Sequence, residues 1–357
     1  MAEEDQPQGA SDEAEYRMTV RGLLRARAET DGAAAAIRAP GRRPMTYQGL
    51  LAHIDETAAR LAALGVRRGD RVAAVLPNGP EMATAFLAAS ACATSAPLNP
   101  GYRAEDYEFF LSDLEAKVLL VRADSDSPAI DVARNLGISV VQLEVEGDAP
   151  AGSFMLHGGE TGPSPEAAVD TAADQSEVAL VLHTSGTTSR PKIVPLSHAN
   201  VCTSAANIAT ALALTPDDRC LNVMPLFHIH GLMGSTLSTL SAGASVVCTP
   251  GFDQQGFFQW VEECSPTWYT AVPTMHQAVL AAAATNGAQA SAANLRLIRS
   301  SSSALPPQVM ADLEALFDAP VIESYGMTEA AHQMTSNPLP PSVRKPGSVG
   351  VAAGPEV

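Results

Sequence analysis

Nine consecutive residues, Thr184-Ser185-Gly186-Thr187-Thr188-Ser189-Arg190-Pro191-Lys192, hold five hydroxyls, a glycine, an arginine and one of only three lysines in the chain. They follow the apolar run from Val178 to His183, a predicted strand. The cluster therefore falls at the carboxyl end of a strand, where α/β sheets bind their ligands. A polyphosphate needs many donors in a small volume: backbone N–H groups freed by glycine, hydroxyls, and an ammonium acting as a point charge. The stretch is not a Walker A loop, since the second glycine and the terminal Lys-Ser/Thr pair are missing. Standing alone it would read as a polar surface loop.

Three further stretches remove it from isolation. After the predicted strand ending at Glu323 come Tyr325-Gly326-Met327-Thr328-Glu329. The tyrosine ring can stack on a purine, and the Glu329 carboxylate with the Thr328 hydroxyl can hold Mg²⁺ beside phosphates. Ser300 to Ala304 (SSSSA) follows another predicted strand, and Pro225 to Gly231 (PLFHIHG) carries His228 and His230. Four loops are thus expected to converge on one sheet edge.

The elements that must position them read as α/β. Leu50, Ile54, Ala58 and Leu61 recur at helical spacing over Thr46–Leu64, with Gly65 at the stop. The short apolar run 71–77 is a strand covered on both faces, leading through Asn78-Gly79-Pro80 into a helix over 81–91. The rhythm continues with a helix at 107–114, a strand at 117–121, a helix at 130–136 and a strand at 138–143. Strands follow at 178–183, 221–224, 245–248, 268–271, 295–299 and 321–323. Helices are expected at 198–213, 231–241, 254–263, 273–284 and 306–317. Such alternation implies mainly parallel sheets flanked by helices. Residues 1–16 are polar and acidic and read as a disordered tail. The Gly-, Pro- and Ser-rich stretch between Gly147 and Ser176 reads as a surface connection. Two α/β subdomains are therefore expected, 17–170 and 171–357, the second carrying most of the site motifs.

Composition narrows the ligands. Against 39 acidic residues stand 22 basic ones, a net charge of −17, which argues against nucleic acid or an anionic membrane as partner. Anionic small molecules are still admissible, because exposed charges beyond about 8 Å are screened at physiological salt. Five scattered cysteines without a C-x-x-C pair indicate neither a disulfide framework nor a zinc site. No signal-peptide order and no apolar run near 18 residues is present, so a soluble, cytoplasmic protein is expected.

HTSGTTSRPK, MPLFHIHGL, AVPTMHQAV, RSSSSALPP, SYGMTEAAHQM and KPGSVG occur in this order from residue 183 to 350. In order and spacing they resemble the adenylate-forming superfamily of acyl-CoA synthetases, luciferases and peptide-synthetase adenylation domains, over a stretch beginning near Tyr47. Within it the TSGTTSRPK form, the histidine after TEAA and the SNPLP segment look most like oxalate-CoA ligases of plants and fungi. The resemblance implies the large N-terminal domain of that fold and an enzyme that joins a carboxylic acid to AMP, releasing pyrophosphate, then transfers the acyl group to CoA. ATP, Mg²⁺ and CoA are the implied cofactors and co-substrates.

Carried over residue by residue, Thr184, Ser185, Gly186, Thr187, Thr188 and Lys192 would cradle the β- and γ-phosphates. Glu329 would ligate Mg²⁺, and Thr328 would bind the α-phosphate. Ser302, Ser303 and Ala304 with Glu323, Ser324 and Tyr325, continuing through Gly326 and Met327, would enclose the adenine. His228 would stand at the gate of the acyl pocket. Lys192, Thr188, His228, Thr328 and Glu329 are the residues expected to act on the reacting groups. For an oxalate substrate, His230, His332 and a hydroxyl of Ser301 or Ser302 would hold the second carboxylate beside His228.

Malonate, another short dicarboxylate or a medium-chain fatty acid is the near alternative, and a silent nucleotide-binding module the distant one. Two departures from the family pattern bear on these. Ile193 stands where the family has glycine, and a β-branched residue is expected to crowd the loop's return if positive φ is needed there. The chain also reaches Val357 before the family's small C-terminal domain, so little acyl-CoA formation is expected from this stretch alone.

Overall fold

The computed structural model describes residues 18–159, 174–184, 191–283 and 293–357, which form two twisted sheets with helices around and between them. The seven-stranded sheet is built from β3 (Arg71–Val75), β4 (Thr94–Pro97), β5 (Ala116–Arg122), β6 (Ser139–Glu144), β7 (Met155–Gly158), β8 (Val178–Thr184) and β9 (Lys192–Ser197). Their order is β7-β6-β5-β3-β4-β8-β9, parallel in the middle with β7 and β9 antiparallel at the edges. The nine-stranded sheet takes β1 (Ala35–Arg38) and β2 (Met45–Thr46), then β10 (Arg219–Asn222), β11 (Ser245–Cys248), β12 (Trp268–Ala271) and β13 (Leu297–Ser300). It is completed by β14 (Val321–Met327), β15 (His332–Ser336) and β16 (Val351–Ala352), in the order β16-β15-β14-β13-β12-β10-β11-β1-β2.

The α/β architecture matches the expectation, but the two sheets do not part at residue 170. Leu180 of β8 lies in register with Ser95, and β9 folds back upon β8, so 178–197 completes the first sheet. In the other direction, Ile37 of β1 pairs with Val246 of β11, so the N-terminal segment closes the second sheet. The polar stretch after Gly147 thus connects strands of one sheet and includes β7. Residues 160–173 within it, and the tail 1–16, lie outside the described residues.

Both sheets share a core. The helix Pro80–Cys92 packs against β3, β4 and β8 on one side and β11 on the other. Its alanine-rich sequence, PEMATAFLAASAC, is buried on nearly every face. Small side chains allow that double approach, and Phe86 and Leu87 fill the gaps left between the layers.

The helix expected at 231–241 is instead a π-helix over His230–Leu237 followed by one α turn, Ser238–Ser241. The hydroxyls of Ser235 and Thr236 both donate to the Gly231 carbonyl, each at 2.8 Å. They compete for the carbonyl that regular winding would use, which accounts for the wider turn. All eight residues are buried.

Candidate active site

The predicted residues follow the carboxyl ends of β8 in the seven-stranded sheet and of β10, β13 and β14 in the nine-stranded sheet, so the four loops come from two sheets and not from the single sheet edge expected. Thr184 ends β8 and pairs in register with Lys192, which opens β9 and is exposed. Ser185, Gly186, Thr187 and Thr188 lie outside the described residues. Ile193 sits opposite His183 in the strand, with its φ outside the left-handed region. An extended strand is where a β-branched residue is at ease, so the expected crowding at this position does not occur.

The stretch expected as a loop after Glu323 is strand to Met327, then a single 3₁₀ turn, Thr328–Ala330, before β15 returns antiparallel. Gly326 makes the close return possible: a Cβ there would stand 1.6 Å from the His332 carbonyl oxygen. Tyr325, Met327 and Glu329 are exposed, and Gly326 and Thr328 are half-buried. Glu323 is buried and accepts from the Gly347 N–H at 3.0 Å, and burial raises its pKa. It therefore anchors the segment Lys345–Gly350 from the floor of the predicted adenine pocket.

The serine run divides sharply. Ser301 is buried and donates to the Ser324 carbonyl at 3.1 Å, so its hydroxyl belongs to the strand framework and is not offered to a ligand. Ser324 is buried beside it, while Ser303 and Ala304 are exposed. Ser302 is exposed too, at the left-handed φ of +72°, and its Oγ lies 3.1 Å from His230 Nδ1.

Of the three histidines expected to meet, two do. His230 and His332 are 2% exposed and stack with ring centroids 5.0 Å apart at 28°. Gly234 of the π-helix leaves the room, since a Cβ there would come within 2.6 Å of His332 Nε2. His228 is exposed beside Phe227, at 4.6 Å between ring centroids, outside the stack. His276 packs separately, its Nδ1 3.1 Å from the Tyr269 hydroxyl.

A residue missed in the sequence organises the stack. Arg299 on β13 is wholly buried. Its Nη1 reaches His230 Nε2 at 3.3 Å and Thr270 Oγ1 at 3.4 Å, and its Nη2 reaches His332 Nε2 at 3.1 Å and Gln333 Oε1 at 3.2 Å. Thr270 Oγ1 also lies 2.6 Å from His230 Nε2. Burial lowers the guanidinium pKa to about 10, still above neutrality. Burial, with the guanidinium charge added, drives both histidines well below their usual range, so both are neutral. The signal in the sequence was an arginine inside the apolar run LRLIRS, where a strand covered on both faces has no ordinary place for one.

A latch from the other sheet holds the histidine loop. The Asn78 amide donates to the Thr249 carbonyl at 3.0 Å and its carbonyl oxygen accepts from Leu226 N–H at 2.8 Å. Asn222 adds a bond from Met224 N–H at 3.0 Å. A cavity of about 420 Å³ opens beside the site between the helix His198–Ala211 and Glu329–Ala331, touching Gln333. Another of about 900 Å³, at Leu64, Lys117, Arg134 and Gln142, touches none of the predicted site residues.

For Mg²⁺ the available residues are Glu329 and the adjoining Thr328. An exposed carboxylate at a sheet edge suits an ion that keeps several waters and takes one or two carboxylates with substrate phosphates. Among the described residues no cluster of three or more metal-ligating side chains exists to compete with it. No helix among them is long and apolar enough to cross a membrane.

The profile of the family described as AMP-binding enzyme matches residues 24–357. An oxalate–CoA ligase of Arabidopsis thaliana is 41% identical over 345 residues, covering 95% of this chain and 66% of that one. An oxalate–CoA ligase of Saccharomyces cerevisiae is 41% identical over 309 residues, covering 81% of this chain and 56% of that one. ATP-bound MatB from Rhodopseudomonas palustris superposes with a TM-score of 0.78 at 26% identity, over 94% of this chain and 65% of that one. The chain thus spans two thirds or less of the length of these relatives.

Proposed function

The chain belongs to the family of AMP-binding enzymes, and on that premise we propose that its protein activates oxalate with ATP and passes the oxalyl group to CoA. An oxygen of the acid's carboxylate bonds to the α-phosphorus as the bond to pyrophosphate breaks. The CoA sulfur then bonds to the acyl carbon, and AMP departs with the electron pair of the C–O bond. Both partners of the first step are anionic, so the barrier falls when fixed positive groups and donors face them in a water-poor site.

In this reading Thr184, Lys192 and the loop between them receive the β- and γ-phosphates, and Thr328 the α-phosphate. Glu329 would hold Mg²⁺, which neutralises phosphate charge when bound. Tyr325 to Met327 and Ser302 to Ala304 line the adenine, with Ser324 and Glu323 setting the strand beneath. The acid lies toward His230, His332 and Ser302, with His228 at the mouth.

The observation that carries the choice of acid is polarity: two neutral stacked imidazoles and a serine hydroxyl lie at the acyl end of the site in this reading, where an aliphatic tail would need an apolar tunnel. The names of the 41% identical relatives point the same way. ATP–pyrophosphate exchange by the full-length protein tests it, with oxalate, malonate and octanoate compared. Exchange is expected to be fastest with oxalate. Preference for octanoate would reject the polar reading of the acyl end, and binding of ATP without exchange for any acid would favour a silent nucleotide-binding module.

A further inference from the structure

Arginine has donors only, so every partner of Arg299 must accept, and that fixes the direction of each bond around it. Nη2 donates to His332 Nε2, which places the proton of that neutral ring on Nδ1. Nη1 faces Thr270 Oγ1 and His230 Nε2. A proton on His230 Nε2 would set two donors against each other, so this nitrogen accepts, and the Thr270 hydroxyl donates to it at 2.6 Å. The His230 proton is then on Nδ1, and that N–H donates to Ser302 Oγ at 3.1 Å. With its oxygen already occupied as acceptor, Ser302 has its own O–H free to point outward from an exposed, left-handed residue.

We propose that Arg299 and Thr270 are positioning residues that lock the His230 tautomer, so that Ser302 offers a hydrogen-bond donor to an anionic carboxylate. Every arrow runs outward: Arg299 to Thr270, Thr270 to His230, His230 to Ser302, Ser302 to the acid. Without the guanidinium the His230 ring is free to protonate Nε2. Its Nδ1 then accepts a hydrogen bond from the Ser302 hydroxyl, and Ser302 turns a lone pair toward the substrate. A single internal charge thereby decides whether the site attracts or repels a carboxylate that the charge itself does not touch.

Two features favour this over a purely structural arginine. Among the described residues the guanidinium has no carboxylate partner, its contacts being Thr270, Gln333 and the two histidines. Among the same residues its Nε has no hydrogen-bond partner. Burying an unpaired charge is unfavourable, and a well-packed apolar residue would serve stability better.

The inference rests on the acid site proposed above, but its first test does not need the reaction. Two-bond ¹H–¹⁵N correlation spectra of the histidine-labelled full-length protein, assigned with His230→Asn, read the tautomer directly. Protonated Nδ1 and bare Nε2 on His230 are expected, and protonated Nε2 overturns the proposal. Kinetics give the second arm: Thr270→Val conserves volume and removes the link. It should raise the KM for the acid roughly tenfold, the size of one hydrogen bond to a charged partner, and leave the KM for ATP unchanged. In a Ser302→Ala background the Thr270→Val effect should vanish, because both act through the same hydroxyl. If the two effects multiply, Thr270 does not act through Ser302. Arg299→Met should move the His230 proton to Nε2 in the same spectra; if that variant fails to fold, the spectra of the wild type and of Thr270→Val still decide. A wild-type protein that exchanges no acid rejects the proposed reaction and leaves the tautomer result standing.

Discussion

A guanidinium donating toward the Nε2 atoms of two stacked imidazoles leaves neither ring room for a second proton, and burial acts in the same direction. His198 and His276 are also buried, with pKa values of about 4. Unfolded histidines titrate near 6.5, so below that pH the unfolded chain binds protons that the folded chain refuses. The stability present above about 6.5 is therefore lost as pH falls toward the folded values. Thermal midpoints should drop between pH 6.5 and 5, less steeply in His276→Gln, and a flat profile would contradict the buried neutral state. At this scale the sequence was a good guide to side chains that reach solvent or a loop. His230, His332 and Ser302 stood in motifs and came together. Arg299 was hidden because its meaning lies in what surrounds it on neighbouring strands, and no spacing along one strand reveals that. Ser301 and Ser302 are adjacent and chemically identical, and only the left-handed turn at Ser302 sends one inward to the Ser324 carbonyl and the other outward.

Among the elements, the loop from Val223 to Ile229 takes its shape from groups distant in the chain. Asn78 lies just after β3, and its amide joins this loop to the end of β11. Asn78→Ala removes both bonds at once and leaves the Leu226 N–H without a partner. A loss of about 1–3 kcal/mol in stability is expected. The larger effect should fall on kcat/KM for the acid, about tenfold, since a misplacement far from the chemistry disturbs histidine alignment. Unchanged kinetics with a lowered midpoint would show that the latch serves stability alone. Periodicity located most of the long helices and buried strands to within about three residues, but not the helix Val20–Asp31. It missed β1, β2, β4, β7, β9, β15 and β16, each of six residues or fewer, and the extension of β14 through Met327. That extension depends on Gly326 admitting the His332 carbonyl, a contact between strands that local pattern does not encode.

At the level of the whole molecule, the exchange of strands between the halves governs how the chain can be divided. A fragment spanning 17–170 keeps β3 to β7 but lacks β8 and β9, and it carries β1 and β2 with no sheet to join. Expressed alone it should show no cooperative unfolding transition, whereas residues 18–357 should; a sharp transition in the fragment would mean that β8 and β9 are dispensable for the first sheet. The division at 170 was drawn from composition, which reports where the chain is polar. Sheet membership is decided by partners such as Ile37 and Val246, far apart in sequence. That pairing also sets a timetable for the nascent chain. Synthesis runs from the N-terminus at about 5–20 residues per second, so β1 leaves the ribosome roughly 10–40 s before β11 exists. During that interval Ala36 and Ile37, both fully covered in the finished fold, have no strand to lie against. The early chain must keep this apolar edge from other polypeptides until the ribosome has delivered its partner, so slowing elongation ahead of Ser245 would expose it for longer.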